Sequence, residues 1–150
     1  MIVLDTNVLS EFMRVEPDAQ VLAWVDAQPA MELAIAAITV AEILHGLARL
    51  PSGKRKQKLE AHAMAMFEED FAARILPFDV HAAVEYATLV AGCEAKGRSV
   101  SMADAQIAAV CRVHGAPIAT RNVRDFEFPG LEVINPWQAC SRMDLSFTAQ

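Results

Sequence analysis

The sequence predicts an α/β fold in which a parallel sheet of short strands is covered by helices on both faces. Short apolar runs alternate with segments of helical periodicity along the chain, as expected when helices connect parallel strands. The first two runs are apolar at every position, which is typical of strands that are buried on both faces. A hydrophobic fraction of 54% and a mean hydropathy of +0.25 agree with such layers.

Five short runs predict the strands of this sheet. The first, Ile2-Val3-Leu4, contains two β-branched residues and stops at Asp5. Ligands of open α/β sheets bind at the carboxyl ends of the strands, so Asp5 is a candidate site residue. The five runs are residues 2–4, 33–36, 75–76, 117–119 and 132–134.

Cap residues, apolar spacing and helix breakers predict the helices between these strands. Thr6 and Asn7 are favourable cap residues for the first helix, and Pro17 is expected in the first turn of the second. Asp79 is expected to cap the fifth helix and Gly97 to end it. The fourth helix is expected to run from the basic segment as one long helix to Phe71. The predicted helices begin near residues 6, 16, 39, 54, 80 and 101, and a short helix follows a turn at residues 120–125.

A chain of 150 residues is the size of one domain. We expect this domain to span residues 1–140, followed by a polar and flexible tail at residues 141–150. The longest apolar stretch is far shorter than a membrane span, and the N-terminus lacks the pattern of a signal peptide. Cys93, Cys111 and Cys140 form no C-x-x-C pair, so reduced thiols in a cytoplasmic protein without membrane contact are expected.

The formal net charge of −6 argues against binding of nucleic acid by general electrostatic attraction. A protein this acidic that acts on a phosphate chain needs a local reversal of the field at its site. A bound divalent cation supplies that reversal.

Three further carboxylates follow helix-cap residues at the same spacing. Each pattern is also that of a capping box, in which the acid only satisfies backbone donors in the first turn of its own helix. For any one pattern taken alone, this structural interpretation is the better one. The patterns are Thr39-x-x-Glu42, Ser101-x-x-Asp104 and Asn122-x-x-Asp125.

The positions of these residues favour a shared site. Asp5 ends a strand, Glu42 and Asp104 open helices, and Asn122 follows a strand, so a doubly wound fold can bring all four to one edge. Two carboxylates about 4 Å apart repel by roughly 4 kcal/mol at an effective dielectric near 20. Three are therefore costly together unless a cation bridges them. Ligands that are all oxygen favour Mg²⁺ or Mn²⁺ over zinc.

Five segments in this order resemble a PIN domain and, more narrowly, the VapC toxins in their FitB-like branch. The resemblance covers nearly the whole chain to about Trp137, and the ordered set is far more specific than any single segment. The segments are Ile2-Val3-Leu4-Asp5-Thr6-Asn7, Ala37-Ile38-Thr39-Val40-Ala41-Glu42, Met102-Ala103-Asp104-Ala105-Gln106-Ile107-Ala108, Ala119-Thr120-Arg121-Asn122 and Asn135-Pro136-Trp137.

The resemblance implies a three-layer PIN-like fold and a metal-dependent endoribonuclease that is the toxin of a toxin–antitoxin pair. Asp5, Glu42 and Asp104 match the three acidic positions of the family site and would be the metal ligands, with Mg²⁺ as the cofactor and Mn²⁺ as a substitute. Asn122 matches a fourth catalytic position that is often Asp, which leaves open whether one or two ions bind. Asp125 would supply the missing charge or cap its helix.

The same resemblance implies three partners: single-stranded or structured RNA, a cognate antitoxin of the VapB or FitA type, and a second copy of the chain. In the implied mechanism, Asp5 and Asp104 hold the ion, and Glu42 holds it or orients a water that the ion activates. Thr6 and Thr120 fall where the family places hydroxyl groups near the site.

Two other functions remain open on the sequence. One is a PIN-like binding or regulatory module whose acidic cluster is weakened by Asn122. The other is a different Mg²⁺-dependent phosphoryl-transfer enzyme, such as a receiver domain or a haloacid-type phosphatase. The phosphatase is disfavoured because position 7 is Asn where its motif requires Asp.

A basic segment at residues 54–58 has two interpretations. Charged runs at helix starts usually face water, which is the favoured one here. The other is that the segment, with Arg49, guides an RNA backbone. Arg121 and Arg124 lie closer to the predicted site and are better candidates for contact with phosphate or a partner.

Overall fold

A computed structural model describes residues 1–138 of the chain. The predicted tail at residues 141–150 and the predicted domain end at residue 140 lie outside the described residues. Cys93 and Cys111 are free and buried, as predicted, and Cys140 falls outside the described range. No helix among residues 1–138 combines the length and the apolar character that crossing a membrane requires.

Five short strands form one parallel sheet in the order β3-β2-β1-β4-β5, which confirms the predicted fold class. All five predicted runs are strands, although the last two are each one residue shorter than predicted. β1 lies at the centre, and Val3 pairs with Ala34 on one side and with Ile118 on the other. The strands are β1 (Ile2–Leu4), β2 (Leu33–Ala36), β3 (Ile75–Leu76), β4 (Ile118–Ala119) and β5 (Val133–Ile134).

Six helices connect the strands, with short 3-10 turns at Ala30–Glu32 and Val123–Phe126. Asp79 and Ser101 cap their helices with side-chain oxygens, and Gly97 follows the fifth helix with a φ of +67°, all as predicted. The helices are α1 (Thr6–Phe12), α2 (Ala19–Asp26), α3 (Ala37–Ala48), α4 (Lys54–Ala65), α5 (Val80–Ala95) and α6 (Met102–Val113).

Each face of the sheet packs against a hydrophobic cluster, which gives the three layers. Val3 faces a cluster that includes Leu89 of α5 and Ile107 of α6. The next residue, Leu4, faces a second cluster that includes Val8 of α1 and Ile43 of α3. Neighbouring strand residues point to opposite faces, so a short strand that is apolar at every position contributes to both clusters.

The carboxyl ends of β1 and β4 meet where the strand order reverses. The Asp5 amide donates to the Ala119 carbonyl at 2.9 Å, so Asp5 and Thr120 follow directly from adjacent strands. This is the position at which open α/β sheets bind their ligands. The topology therefore brings the end of the first strand beside residues from the last third of the chain.

One predicted helix cap and two predicted helix starts differ from the structure. Asp5, rather than Thr6 or Asn7, caps α1, and its carboxylate accepts from the Thr6 amide at 2.8 Å. α2 begins at Ala19 with Asp18 as its cap, so Pro17 lies before the helix. The Asp18 carboxylate accepts hydrogen bonds from two backbone amides of the first turn. These bonds favour a helix that begins after Asp18 over one that has Pro17 in its first turn.

Thr39 is not a cap, because α3 begins at Ala37 directly after β2. No loop separates the strand from the helix, so Thr39 lies inside the first turn and is completely buried. Its hydroxyl oxygen has no hydrogen-bond partner among the described residues. The capping-box interpretation of Glu42 therefore does not hold.

α4 also differs from the prediction of one long helix to Phe71. Its last regular residue is Ala65, and Met66–Asp70 form a π-helical turn. The Phe71 amide donates to the Met66 carbonyl, five residues back, at 3.1 Å. The wider turn allows Met66, Phe67 and Phe71 all to be buried in one cluster, which a regular helix of this length does not achieve as readily.

Replacement of Thr39 by valine is expected to stabilise the protein. The change keeps the β-branched shape and removes a buried hydroxyl that has no partner, so the free energy of unfolding should rise by about 1 kcal/mol. Urea denaturation followed by circular dichroism measures the difference. Thr39→Ser is the matched control, because it keeps the hydroxyl, removes a buried methyl group and should destabilise. A valine variant that loses stability would show that the hydroxyl is hydrogen-bonded.

Candidate active site

A cavity of about 460 Å³ opens at the carboxyl edge of the sheet and contains all four predicted site residues. Asp5 reaches it from the end of β1, Glu42 from α3, Asp104 from α6 and Asn122 from the segment after β4. Arg121 also lines the cavity, as expected, whereas Arg124 and the basic segment at residues 54–58 do not. The lining residues are Asp5, Thr6, Asn7, Ser10, Glu11, Arg14, Glu42, Asp104, Arg121, Asn122 and Trp137.

Asp5 is the most buried carboxylate of the cavity, with only 3% of its surface exposed. One oxygen, Oδ1, accepts from the Thr6 amide at 2.8 Å. The other, Oδ2, accepts from the Thr120 hydroxyl at 2.7 Å and from the Asn7 side-chain amide at 3.2 Å. All three donors are neutral, so Asp5 is held in place without a compensating charge.

The Thr120 hydroxyl connects three segments at the floor of the cavity. It donates to Asp5 and accepts from the Asn7 side chain at 3.2 Å and from the Asn122 amide at 3.0 Å. The Asn7 side-chain oxygen in turn accepts from the Arg121 amide at 3.3 Å. Because Thr120 is fully buried, these bonds tie the start of α1 to the segment after β4 without water.

Glu42 is positioned by α1 rather than by its own helix. The Thr6 hydroxyl donates to Glu42 Oε1 at 2.6 Å, across the gap between α1 and α3. Glu42 lies on the sixth residue of α3 and is half-buried. Its second oxygen forms no bond to residues 1–138 and remains available to a ligand.

Asp104 occupies the first turn of α6, which Ser101 caps. The Ser101 hydroxyl oxygen accepts from the Asp104 amide at 3.1 Å, so this capping pattern is confirmed. Burial raises the pKa of Asp104, a hydrogen bond with Ser101 opposes that shift, and the charges of Asp125 and Glu42 raise the pKa further. The capping and the site interpretations of this residue are therefore compatible.

Asn122 lines the cavity, but it does not cap the 3-10 turn that follows with its side chain. Only its carbonyl contacts that turn, accepting from the Asp125 amide at 3.1 Å. The predicted capping box at this position is therefore wrong, because the chain forms a 3-10 turn rather than the first turn of an α-helix. Asp125 lies outside the cavity lining and influences the cavity through its charge on Asp104.

Burial and like charge disfavour the ionised form of the cluster. Desolvation raises the pKa of Asp5 to about 6, against hydrogen bonds from Thr120 and Thr6 that lower it, and the charges of Asp104 and Glu42 add to the increase. No arginine, lysine or histidine of residues 1–138 forms an ion pair with any of the three carboxylates. The three carboxylates thus share one cavity without an ion-paired cation from the protein, although Arg14 and Arg121 also line that cavity.

The donor set fits a hard divalent cation. Its available ligands are carboxylate oxygens, with no cysteine or histidine in the cavity lining. Among the described residues, no group of three or more His, Cys, Asp or Glu side chains is arranged to hold a metal ion. A partial set suits Mg²⁺, which usually takes one or two carboxylates and keeps several waters or substrate phosphates.

A family model described as the PIN domain matches residues 2–128 of the chain. The chain belongs to the PIN-domain family. The VapC ribonuclease Y4jK of Sinorhizobium fredii is 46% identical over 92% of this chain and 99% of its own. The toxin FitB of Neisseria gonorrhoeae is 39% identical over 91% of this chain and 99% of its own.

A solved structure shares the fold closely. It is the structure of FitAB bound to an IR36 DNA fragment, with a TM-score of 0.87 and 38% identity over 95% of this chain and 99% of the other. The predicted resemblance to the VapC toxins and their FitB-like branch is therefore confirmed.

Part of the polar face of α1 that lines this PIN-domain cavity was not predicted from the sequence. Asn7, Ser10, Glu11 and Arg14 all line the cavity and are spaced as one helical face. Glu11 is buried and accepts from the Asp18 amide at 2.7 Å. The spacing of these polar residues was the available signal, but a polar helix face usually indicates only exposure to solvent.

Trp137 belongs to the segments that resemble the family, which predict no role for it, and it also lines the cavity. The guanidinium of Arg121 lies 5.2 Å from the centroid of its ring. The Trp137 amide donates to the Asn135 side chain at 3.0 Å, which fixes the turn after β5. Sequence alone did not place the ring in the same cavity as the carboxylates, because Trp137 is distant in the chain from all three, by 132 residues in the case of Asp5.

The buried charge of Asp5 predicts a pH dependence of stability in the metal-free PIN domain. The folded pKa of about 6 exceeds the ordinary pKa of an aspartate, 3.8, so Asp5 adds stability below pH 3.8 and this stability is lost as the pH rises through 6. The free energy of unfolding of the wild type, minus that of Asp5→Asn, should fall by about 2 kcal/mol between about pH 4.5 and about pH 7.5.

Urea titrations of both proteins in a chelator measure this difference. The subtraction removes the effects of other titrating groups and of hydrogen bonds that asparagine cannot make. A difference that stays constant across this pH range would contradict the prediction.

Proposed function

We propose that the protein is a Mg²⁺-dependent endoribonuclease that hydrolyses RNA phosphodiester bonds and acts as the toxin of a toxin–antitoxin pair. The observation that carries this proposal is the convergence of Asp5, Glu42 and Asp104 in one cavity, where none of the three forms an ion pair with residues 1–138. Such a cluster is unfavourable by itself and favourable around a cation. The similarity to a relative named as a VapC ribonuclease supports RNA as the substrate.

Asp5 and Asp104 would hold the ion, and Glu42 would hold it or orient the attacking water. A bound divalent cation lowers the pKa of a water and offsets charge on the phosphate oxygens. Mn²⁺ presents similar ligand preferences and is expected to substitute.

The remaining polar residues keep these carboxylates in place. Thr6 fixes one oxygen of Glu42, while Thr120 and Asn7 fix Asp5. Catalytic groups held by locked neighbours lose little entropy when the substrate binds. Arg14 and Arg121 line the same cavity and offer positive charge to a phosphate group.

Hydrolysis by water agrees with the composition of the cavity. Its hydroxyl residues, Thr6 and Ser10, have no histidine beside them in the lining, so neither resembles an activated nucleophile. Asn122 offers a neutral oxygen with no bond to residues 1–138, which favours a single ion over two. We place the activity in the cytoplasm, where the proposed substrate is found.

A cognate antitoxin is the proposed inhibitor. This proposal is supported by the similarity to the toxin FitB and to the FitAB structure. The same FitAB structure contains DNA and favours the second candidate function, a regulatory module that binds without cutting. Since the chain belongs to the PIN-domain family, a receiver domain or a haloacid-type phosphatase is no longer needed as an explanation.

We also propose a homodimer that forms through the outer face of α5. Val80 and Val84 are 77% and 62% exposed, and the exposed Ala87 and Ala91 continue the same helical face. These four positions carry no charge and are spaced as one stripe. An exposed apolar stripe of this kind is typical of a protein–protein contact.

Purified, antitoxin-free protein should cut single-stranded RNA only when Mg²⁺ or Mn²⁺ is present. Asp5→Asn and Asp104→Asn should each lower the rate by at least about a hundredfold, because each removes a charge that would hold the ion. Gel analysis of a labelled RNA measures the rate. Asp26→Asn is the matched control, since Asp26 is exposed at the end of α2 and outside the cavity.

Equal cutting by the wild type and both cavity variants would indicate a contaminating nuclease. RNA binding without any cutting in either metal would favour the regulatory module instead.

Val84→Glu should convert the dimer to a monomer. A carboxylate in the centre of an apolar contact has no partner and is costly to desolvate. Light scattering after size exclusion gives the mass directly. Val15→Glu serves as the control, because Val15 is 95% exposed and lies outside α5. A Val84→Glu protein that remains dimeric would place the contact elsewhere.

A further inference from the structure

A second cavity, of about 770 Å³, lies beside the acidic cavity between α1 and α4. The two cavities share Ser10 and Arg14 as lining residues, so they are neighbours on the surface. The second cavity, called here the α1–α4 groove, is lined by Ser10, Met13, Arg14, Val15, Glu16, Arg55, Lys58, Leu59 and His62.

The α1–α4 groove is basic where its neighbour is acidic. Arg14, Arg55 and Lys58 line it, with His62, against one acid, Glu16. Arg55, Lys58 and His62 are spaced at three and four residues along α4, so they project from one face of that helix. Neither Arg55 nor Lys58 forms an ion pair within residues 1–138.

Only part of the basic segment faces this groove. Lys54 is not among the lining residues, and the Lys56 ammonium donates to the Ala48 carbonyl at 3.1 Å. Arg55 and Lys58 are exposed to solvent, as the favoured interpretation of the segment predicts, and they also line this groove. The groove shares Ser10 and Arg14 with the cavity that contains the carboxylates.

A buried carboxylate helps to position Arg14 at the junction of the two cavities. Glu11 is 4% exposed, and its oxygens lie 3.4 Å from the Arg14 Nη1 atom. The same carboxylate accepts from the Asp18 amide at 2.7 Å, which fixes the turn between α1 and α2. The positively charged side chain of Arg14 thus lies between the acidic cavity and the α1–α4 groove.

An RNA strand needs such cations beside the acidic cavity. The protein carries a net charge of −6, so its average field repels a polyanion. An ion at the carboxylates attracts only the phosphate next to it, and the phosphates further along the strand need other cations. The α1–α4 groove offers them, and Met13, Val15 and Leu59 provide apolar surface for unpaired bases.

We propose that single-stranded RNA runs from the acidic cavity into the α1–α4 groove, with Arg55 and Lys58 contacting phosphates that flank the cut bond. The inference rests on the proposed ribonuclease function and defines the substrate path of that site. It assigns two residues of the basic segment to the substrate and leaves Lys54 and Lys56 outside the contact.

The test compares Arg55→Gln/Lys58→Gln with Arg49→Gln/Lys54→Gln, which removes the same charge outside both cavities. Every protein also carries Asp5→Asn, so that the RNA stays intact during the titration. Fluorescence anisotropy with an unstructured RNA of about 20 nucleotides gives Kd at several salt concentrations. The groove variant should bind about tenfold more weakly near 0.1 M salt, and its salt slope should decrease by about 1.4.

The control variant should bind RNA with the same affinity as the parent protein, which carries Asp5→Asn alone. Equal affinities and salt slopes in all three proteins would overturn the proposed path. An unchanged affinity for RNA together with lost binding of the antitoxin would also overturn it, because the groove would then belong to an acidic protein segment.

A second measurement separates this inference from the proposed function. Without Asp5→Asn, the groove variant should cut a dinucleoside monophosphate, which has no flanking phosphate, as fast as the wild type, and it should cut the longer RNA with a kcat/KM about tenfold lower. A wild type that cuts neither RNA overturns the ribonuclease and the substrate path with it. A groove variant that cuts both RNAs like the wild type overturns only the path.

Discussion

The site depends on one buried carboxylate at the end of the central strand. Asp5 is surrounded by neutral donors from α1 and from the segment after β4, and it has no cationic partner in residues 1–138. Its hydrogen bonds hold the geometry but do not neutralise the charge. Burial therefore raises its pKa to about 6, so ionisation of Asp5 costs the folded protein free energy that a bound cation would offset.

The parallel topology explains why other site residues lie beside Asp5. Because β1 lies between β2 and β4, the helix that follows β2 and the segment that follows β4 both begin beside Asp5. Glu42 and Thr120 enter the site by that route, and α6 brings Asp104. The charges of Glu42 and Asp104 add to the raised pKa of Asp5, so the two carboxylates make its ionisation more costly.

α1 links the core, the acidic cavity and the α1–α4 groove. Val8 and Leu9 are buried in the cluster beneath the sheet, while the opposite face presents Ser10 and Arg14 to the two cavities. Its first residue, Thr6, holds Glu42 of another helix. Since α1 starts directly from β1, a shift of this helix would move the carboxylates and the basic surface together.

The sequence by itself determined the fold class, the five strands and the residues of the acidic cluster. Strands that are apolar at every position can only be buried, and a carboxylate at the end of such a strand must lie at the sheet edge. Local chemistry also predicted the caps Asp79 and Ser101, because a cap bonds amides two or three residues away.

Only the tertiary structure decided which of the competing local patterns form and which surfaces meet. Thr39 has the chemistry of a cap, but the direct passage from β2 into α3 places it inside the helix. Glu11 and Arg55 carry no pattern that separates them from solvated charges. Their roles depend on contacts and cavities formed by segments distant in sequence, and local preference contains no information about those distances.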